Sequence, residues 1–156
     1  MHLDVKQKVG QLKQLRYLEG EAALLAGRIA RLDAQIEIER SARWRSRGVA
    51  EHRARLIALR ERLAQRRDRC LAQLDALCGF IDGIGDSRLR QIMVGRYIDG
   101  LTWKGVAASI GERDEQYPRR LHNRFLMRNE LPAALAGCRD DRRDPQGRED
   151  RETANG

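Results

Sequence analysis

RLRQIMVGRYIDGLTWKGVAASIGERDEQYPRRLHNRFL, residues 88–126, decides how the chain is read. Two glycines divide it into three short helices. Asp86 or Ser87 precedes the first, and either side chain can accept from a free backbone N–H there. Leu89, Ile92 and Met93 share one face of that helix. Asp99-Gly100 ends it, with Gly100 suited to the left-handed position past a helix end. Thr102 is placed to cap the next helix, Trp103 to Ile110, whose buried side is Trp103, Val106, Ala107 and Ile110. Gly111 stops it. The third helix opens near Asp114, is rich in arginine and ends near Asn129.

This spacing suits a helix-turn-helix. Two steeply crossing helices need a small residue where they touch, and Ala107 supplies it. The tight turn needs a residue free to take positive φ, and Gly111 supplies that. With Leu121 and Phe125 turned inward, Arg119, Arg120, Asn123 and Arg124 face outward and can enter a major groove. Arg can grip guanine, and Asn adenine, with two hydrogen bonds each. Lys104 is placed for a phosphate, and Arg113 and Gln116, in or beside the turn, complete the DNA-facing set. The plainer alternative is an ordinary three-helix core with solvated arginines.

At these residues the chain resembles the C-terminal helix-turn-helix of sigma factors, region 4, and more closely small phage and prophage regulators of the ArpU type. The residues that carry the resemblance are Arg96, Tyr97, Gly100, Leu101, Trp103, Ala107 and Gly111, then Arg119, His122, Arg124, Phe125 and Leu126. It is specific over Asp86 to Leu126, architectural over Leu12 to Ile81, and absent beyond Leu131. It implies a DNA-binding regulator of phage genes with an N-terminal coiled coil. Pro118 departs from the pattern, standing where an aliphatic residue usually packs the third helix onto the second. A proline is comfortable only in a helix's first turn, so the third helix is expected to start late, nearer Tyr117.

The N-terminal half has a different texture. From Gln11 to about Arg40, Leu15, Leu18, Ala22, Leu25, Ile29, Leu32 and Ile36 follow steps of three and four, the seam of a coiled coil or of a bundle helix. Ser41 to Gly48 breaks the pattern and reads as the connection of a helical hairpin. Its Trp44, between Arg43 and Arg45, can cap the hairpin's end or stack on a base. Glu51 to Ile81 is the returning helix, with Leu56, Leu59, Leu63, Cys70, Leu74, Leu77 and Ile81 on its seam and a drift around Arg66 and Arg67. The expected organisation is therefore all-α. Residues 1–81 form a coiled-coil hairpin and 82–85 a hinge at DGIG. Residues 86–131 form the helix-turn-helix unit, and 132–156 a disordered tail of alternating charge. The seams look too thin to close a core alone, which predicts a homodimer through the coiled coil.

Composition narrows the function. Aromatics are only 4% and charged residues 35%, which suits long helices with narrow seams. A net charge of +8 favours nucleic acid or an anionic surface. Residues 41–81 carry ten arginines against four acids, whereas 82–130 carry nine basic residues against seven acids, so the hairpin is the more basic part. Its arginines are a solvated face, a DNA-backbone contact or a surface for an acidic partner. Cys70, Cys78 and Cys138 have no zinc spacing and read as buried thiols in a reducing cytoplasm. His2, His52 and His122 are scattered, with His122 expected beside Phe125 or at a phosphate. No catalytic motif, metal set or cofactor site is recognised, so no enzyme activity is expected. The polar N-terminus and the absence of any apolar run near the roughly 20 residues that span a bilayer predict a protein of the bacterial host's cytoplasm, without a membrane partner. The expected partner is double-stranded DNA. A small-terminase-like packaging factor and a sigma-like adaptor for RNA polymerase are the alternatives.

Overall fold

The computed structural model describes residues 3–41 and 47–135, and the described residues are all-α. Six helices follow in order: α1 Val5–Leu15, α2 Leu18–Ser41, α3 Arg47–Asp82, α4 Ser87–Tyr97, α5 Trp103–Ser109 and α6 Gln116–Arg128, with a 3-10 turn at Ala133–Leu135. Trp44 and Cys138 lie outside the described residues, as does the expected tail from residue 136 onward.

α2 and α3 run antiparallel. Arg66 meets Glu21 at 2.7 Å, Arg60 meets Asp33 at 2.8 Å, and His52 meets Glu39 at 3.1 Å. Partners thus descend along α3 as they ascend along α2. Between them Leu18, Ala22, Leu25 and Ile29 are buried against Leu63, Ala64, Cys70 and Leu77. One chain covers these seams by itself, and toward the far end Leu32, Ile36 and Leu56 stay half-buried. One seam assignment and one cysteine need correction. Leu59 is 36% exposed, because the inward stripe of α3 steps from Leu56 through the half-buried Arg60 to Leu63 and passes it by. Cys70 is buried but Cys78 is exposed, one residue past the buried Leu77.

The expected helix from Gln11 to Arg40 is two helices. Asp4 caps α1 in a reciprocal box with Gln7, each receiving the other's backbone N–H. The helix breaks at Arg16 and Tyr17, where the Tyr17 N–H donates to Gln14 three residues back. No glycine or proline marks the break. It lets Leu12 and Leu15 bury against the C-terminal helices while Leu18 starts the hairpin seam. α1 therefore packs with α4 and α6 as well as α3.

One buried cluster runs from Leu12 through Leu77 and Ile81 to Met93, Tyr97, Leu126 and Leu135. Ile84, inside the expected hinge, belongs to it, and its carbonyl accepts from the Arg90 guanidinium at 2.5 Å. Residues 132–135, expected in the tail, belong to the folded part: Leu135, in the closing turn, is fully buried. α1 and α3, which pack against this turn, hold it, although its neighbours have no apolar period.

The tie between the two halves is Lys8. Its side chain is buried, and its Nζ donates to the backbone carbonyls of Leu126 and Asn129, both at 2.9 Å, and to Glu130 Oε1 at 3.2 Å. Carbonyls at a helix C-terminus have no partner within the helix and carry partial negative charge, which a cation there offsets. Lys8→Met keeps most of the buried volume but leaves those carbonyls without a donor. It is expected to lower stability by about 2–3 kcal/mol in urea unfolding.

Candidate nucleic-acid interface

The three C-terminal helices are built by local devices. Asp86 caps α4, its carboxylate accepting from the N–H groups of Arg88 at 2.8 Å and Leu89 at 3.1 Å. Thr102 caps α5 through the Gly105 N–H at 3.2 Å. Gly100 and Gly111 both have positive φ, +69° and +76°, as the turns require. At Gly111 the Glu112 N–H donates to Ala107 O (2.8 Å) and the Gly111 N–H to Ala108 O (3.1 Å), closing the end of α5 in a Schellman motif. Ala107 is buried, and Gly95 supplies the matching close approach on α4. A Cβ there would lie 3.4 Å from Val106 and 3.5 Å from Leu101.

α6 starts at Gln116. The Asp114 carboxylate accepts from the Gln116 N–H at 2.9 Å, and Pro118 falls within the first turn, where its missing N–H would have no helical partner. Pro118 is buried, so it fills the packing position expected of an aliphatic residue. Across the start of α6, Tyr117 meets Arg88, the guanidinium lying 5.8 Å from the ring centre.

The inward face of α6 is Pro118, His122 and Leu126. Leu121 and Phe125, expected as the inward pair, flank it half-buried, and Phe125 stacks at 5.9 Å on Phe80 of α3. His122 is fully buried and touches both preceding helices. Its Nε2 lies 2.5 Å from the Tyr97 hydroxyl, Trp103 meets its ring edge-on at 5.0 Å, and its Nδ1 lies 2.9 Å from Asn123 Oδ1. An amide oxygen only accepts, so Nδ1 carries the proton and Nε2 accepts from Tyr97. Burial pushes the His122 pKa down to about 4. The Asn123 hydrogen bond opposes the shift, and the charges of Arg96 and Arg119 add to it. Burial likewise raises the Tyr97 hydroxyl's pKa, keeping it a donor. Arg96 lies over Trp103 at 4.8 Å and donates to Leu101 O at 2.9 Å. The expectation of a phosphate for His122 is thus corrected: the imidazole is internal and neutral.

Six of the seven residues singled out from sequence are exposed: Lys104, Arg113, Gln116, Arg119, Arg120 and Arg124. Gln116, Arg120 and Arg124 are spaced by four and share the outward stripe of α6, with Arg119 on its flank. Arg120 reaches Asp114 at 3.5 Å. Lys104 stands apart in the first turn of α5, about 10 Å along that helix from Gly111. Asn123 is half-buried and its oxygen is engaged by His122, so it cannot also offer that oxygen to adenine. Sequence reasoning missed Met127, 72% exposed near the same stripe, and the Tyr97–His122–Trp103 contact. The spacing of His122 from Pro118 and Leu126, four residues each way, was the available signal.

No group of three or more His, Cys, Asp or Glu among the described residues is placed to hold a metal ion, and no described helix is long and apolar enough to cross a membrane. No family model matches the chain, and neither a curated protein nor a solved structure matches it.

The pH dependence of this unit follows from His122. In the unfolded chain the imidazole takes a proton near pH 6.5, and in the fold only near pH 4. Between those values the unfolded state binds more protons, so stability falls as pH falls through that window, by about 3 kcal/mol in total. Chemical unfolding at pH 7 and pH 4 is expected to show that loss in the wild type, and a loss smaller by about that amount in His122→Gln.

Proposed function

We propose that residues 86–129 bind double-stranded DNA as a helix-turn-helix, with α6 in the major groove, and that the protein is a phage-type transcription regulator acting in the cytoplasm of a bacterial host. The observation that carries this reading is the outward stripe of α6, Gln116, Arg120 and Arg124, on a helix fixed from behind by His122. Arginine matches guanine O6 and N7, and glutamine matches adenine N6 and N7. Arg119, Arg113 and Lys104 then serve phosphates, and Asn123 holds His122 rather than reading a base. An adaptor role at RNA polymerase is the second reading. It is favoured by Met127, an exposed apolar side chain close to a charged stripe.

Two copies would meet at the far end of the hairpin, where Ile38 and Ile57 are 69% and 49% exposed. Ile57→Glu is then expected to lower the mass seen by light scattering without loss of helicity. A wild type that stays monomeric at high concentration rules the pairing out.

Binding titrations on a library-selected duplex and a scrambled one, at several salt concentrations, test the DNA reading. Gln116→Ala and Arg124→Ala are each expected to cost about 1–3 kcal/mol on the selected site and much less on the scrambled one. Lys104→Ala should weaken both alike and reduce the salt slope by about one. Should both α6 variants keep the wild-type preference, α6 is not the reader and the polymerase reading takes precedence.

A further inference from the structure

We infer that the α2–α3 hairpin carries a docking groove for an acidic amphipathic helix of a partner protein. The groove, about 730 Å³, runs along one face of the hairpin. Leu25 and Leu63 form its buried floor, and Leu24 and Leu59 line it exposed, at 73% and 36%. Leu24, Arg28 and Arg31 are successive turns of α2, and Leu59, Arg62, Arg66 and Arg69 are successive turns of α3. Each wall is therefore a leucine followed by arginines. The ion pair of Glu21 and Arg66 sits within it. Glu21 is the one acid in the lining, and no ion pair among the described residues involves Arg28, Arg31, Arg62 or Arg69.

The two properties together select the occupant. Exposed leucines gain from apolar contact, which a phosphate backbone does not offer. The arginines require carboxylates, which a second copy of the same groove lacks: two such faces would set like charges against each other. The α3 wall from Leu59 to Arg69 spans about 15 Å, close to three turns of a docked helix. A helix with leucine-type anchors on one stripe and glutamates beside them meets both demands, in the helix-in-groove manner.

The test uses the full chain and a fluorescently labelled amphipathic peptide of about 18 residues made of Leu, Ala and Glu, long enough to form helix on binding. Anisotropy is expected to show saturable binding that weakens with salt. Leu24→Ser combined with Leu59→Ser should weaken it by about tenfold or more, as should Arg28→Gln combined with Arg62→Gln. Both leucines are exposed, so an unchanged far-UV spectrum is expected for that variant. The inference is overturned if the leucine variant binds the peptide like wild type. It is equally overturned if a peptide of the same charge with Ser for Leu binds as well, or if an unlabelled duplex displaces the peptide both from wild type and from a Gln116→Ala, Arg124→Ala protein. That last protein also separates the two proposals, since losing DNA selectivity there while keeping the peptide leaves the groove standing alone.

Discussion

A neutral imidazole fixes the geometry of the C-terminal unit. His122 needs one hydrogen-bond donor on one side and one acceptor on the other, and Tyr97 and Asn123 supply them. Trp103 covers the ring edge-on from α5. One side chain of α6 is thus held by α4 in front, by α5 beside it and by its own neighbour behind. Charging it would turn its acceptor into a second donor facing the Tyr97 hydroxyl, in a site already near the guanidinium groups of Arg96 and Arg119. The same arrangement explains why Asn123 faces partly inward. Its role is to hold the imidazole in one tautomer, which frees Gln116, Arg120 and Arg124 to be the outward residues.

The other end of α6 is held by Lys8, so the helix is fixed at its first turn by Asp114 and Tyr117, at its middle by His122 and at its last turn from α1. A buried amine is destabilising unless its donors are used, and here three acceptors take them. This contact joins residues more than a hundred positions apart and sets where α1 lies. The break at Arg16 and Tyr17 follows, because α1 must reach the end of α6 while α2 lies along α3. Arg16 also packs on the turn at Gly100, 3.4 Å from the position of a Cβ there.

What was legible in the sequence is what local chemistry decides. Positive φ at Gly100 and Gly111, the caps at Asp86 and Thr102, and the seam from Leu15 to Ile29 each depend on residues within a turn or two, and they stand in the structure where the spacing puts them. The exposed arginines of α6 are legible for the same reason. Long-range pairing is not. Lys8 continues the three-and-four spacing from Val5 to Leu12 and Leu15, but a lysine on an apolar stripe signals burial only when its acceptors are known. The accepting carbonyls belong to a helix end that carries no mark of it. Leu135 is buried by a core supplied from elsewhere in the chain, so the charged composition after it gave the wrong boundary. Leu59 was misplaced because the inward stripe of α3 runs through Arg60, a charged residue that does not read as a seam position, and Cys78 because it lies one residue off that stripe at Leu77.

The distribution of charge differs between the two parts. The hairpin has the larger excess of arginine but presents it beside exposed leucines, whereas α6 presents arginine beside glutamine. Leucine and arginine together suit a protein helix, and glutamine and arginine suit base edges. The two faces are joined through one continuous buried core, with Ile84 packed inside the connection. On the two proposals together, a partner held on the hairpin need not reshape α6 to matter. Its effect on a DNA-bound protein would instead be one of local concentration, bringing a second macromolecule to the site that α6 occupies.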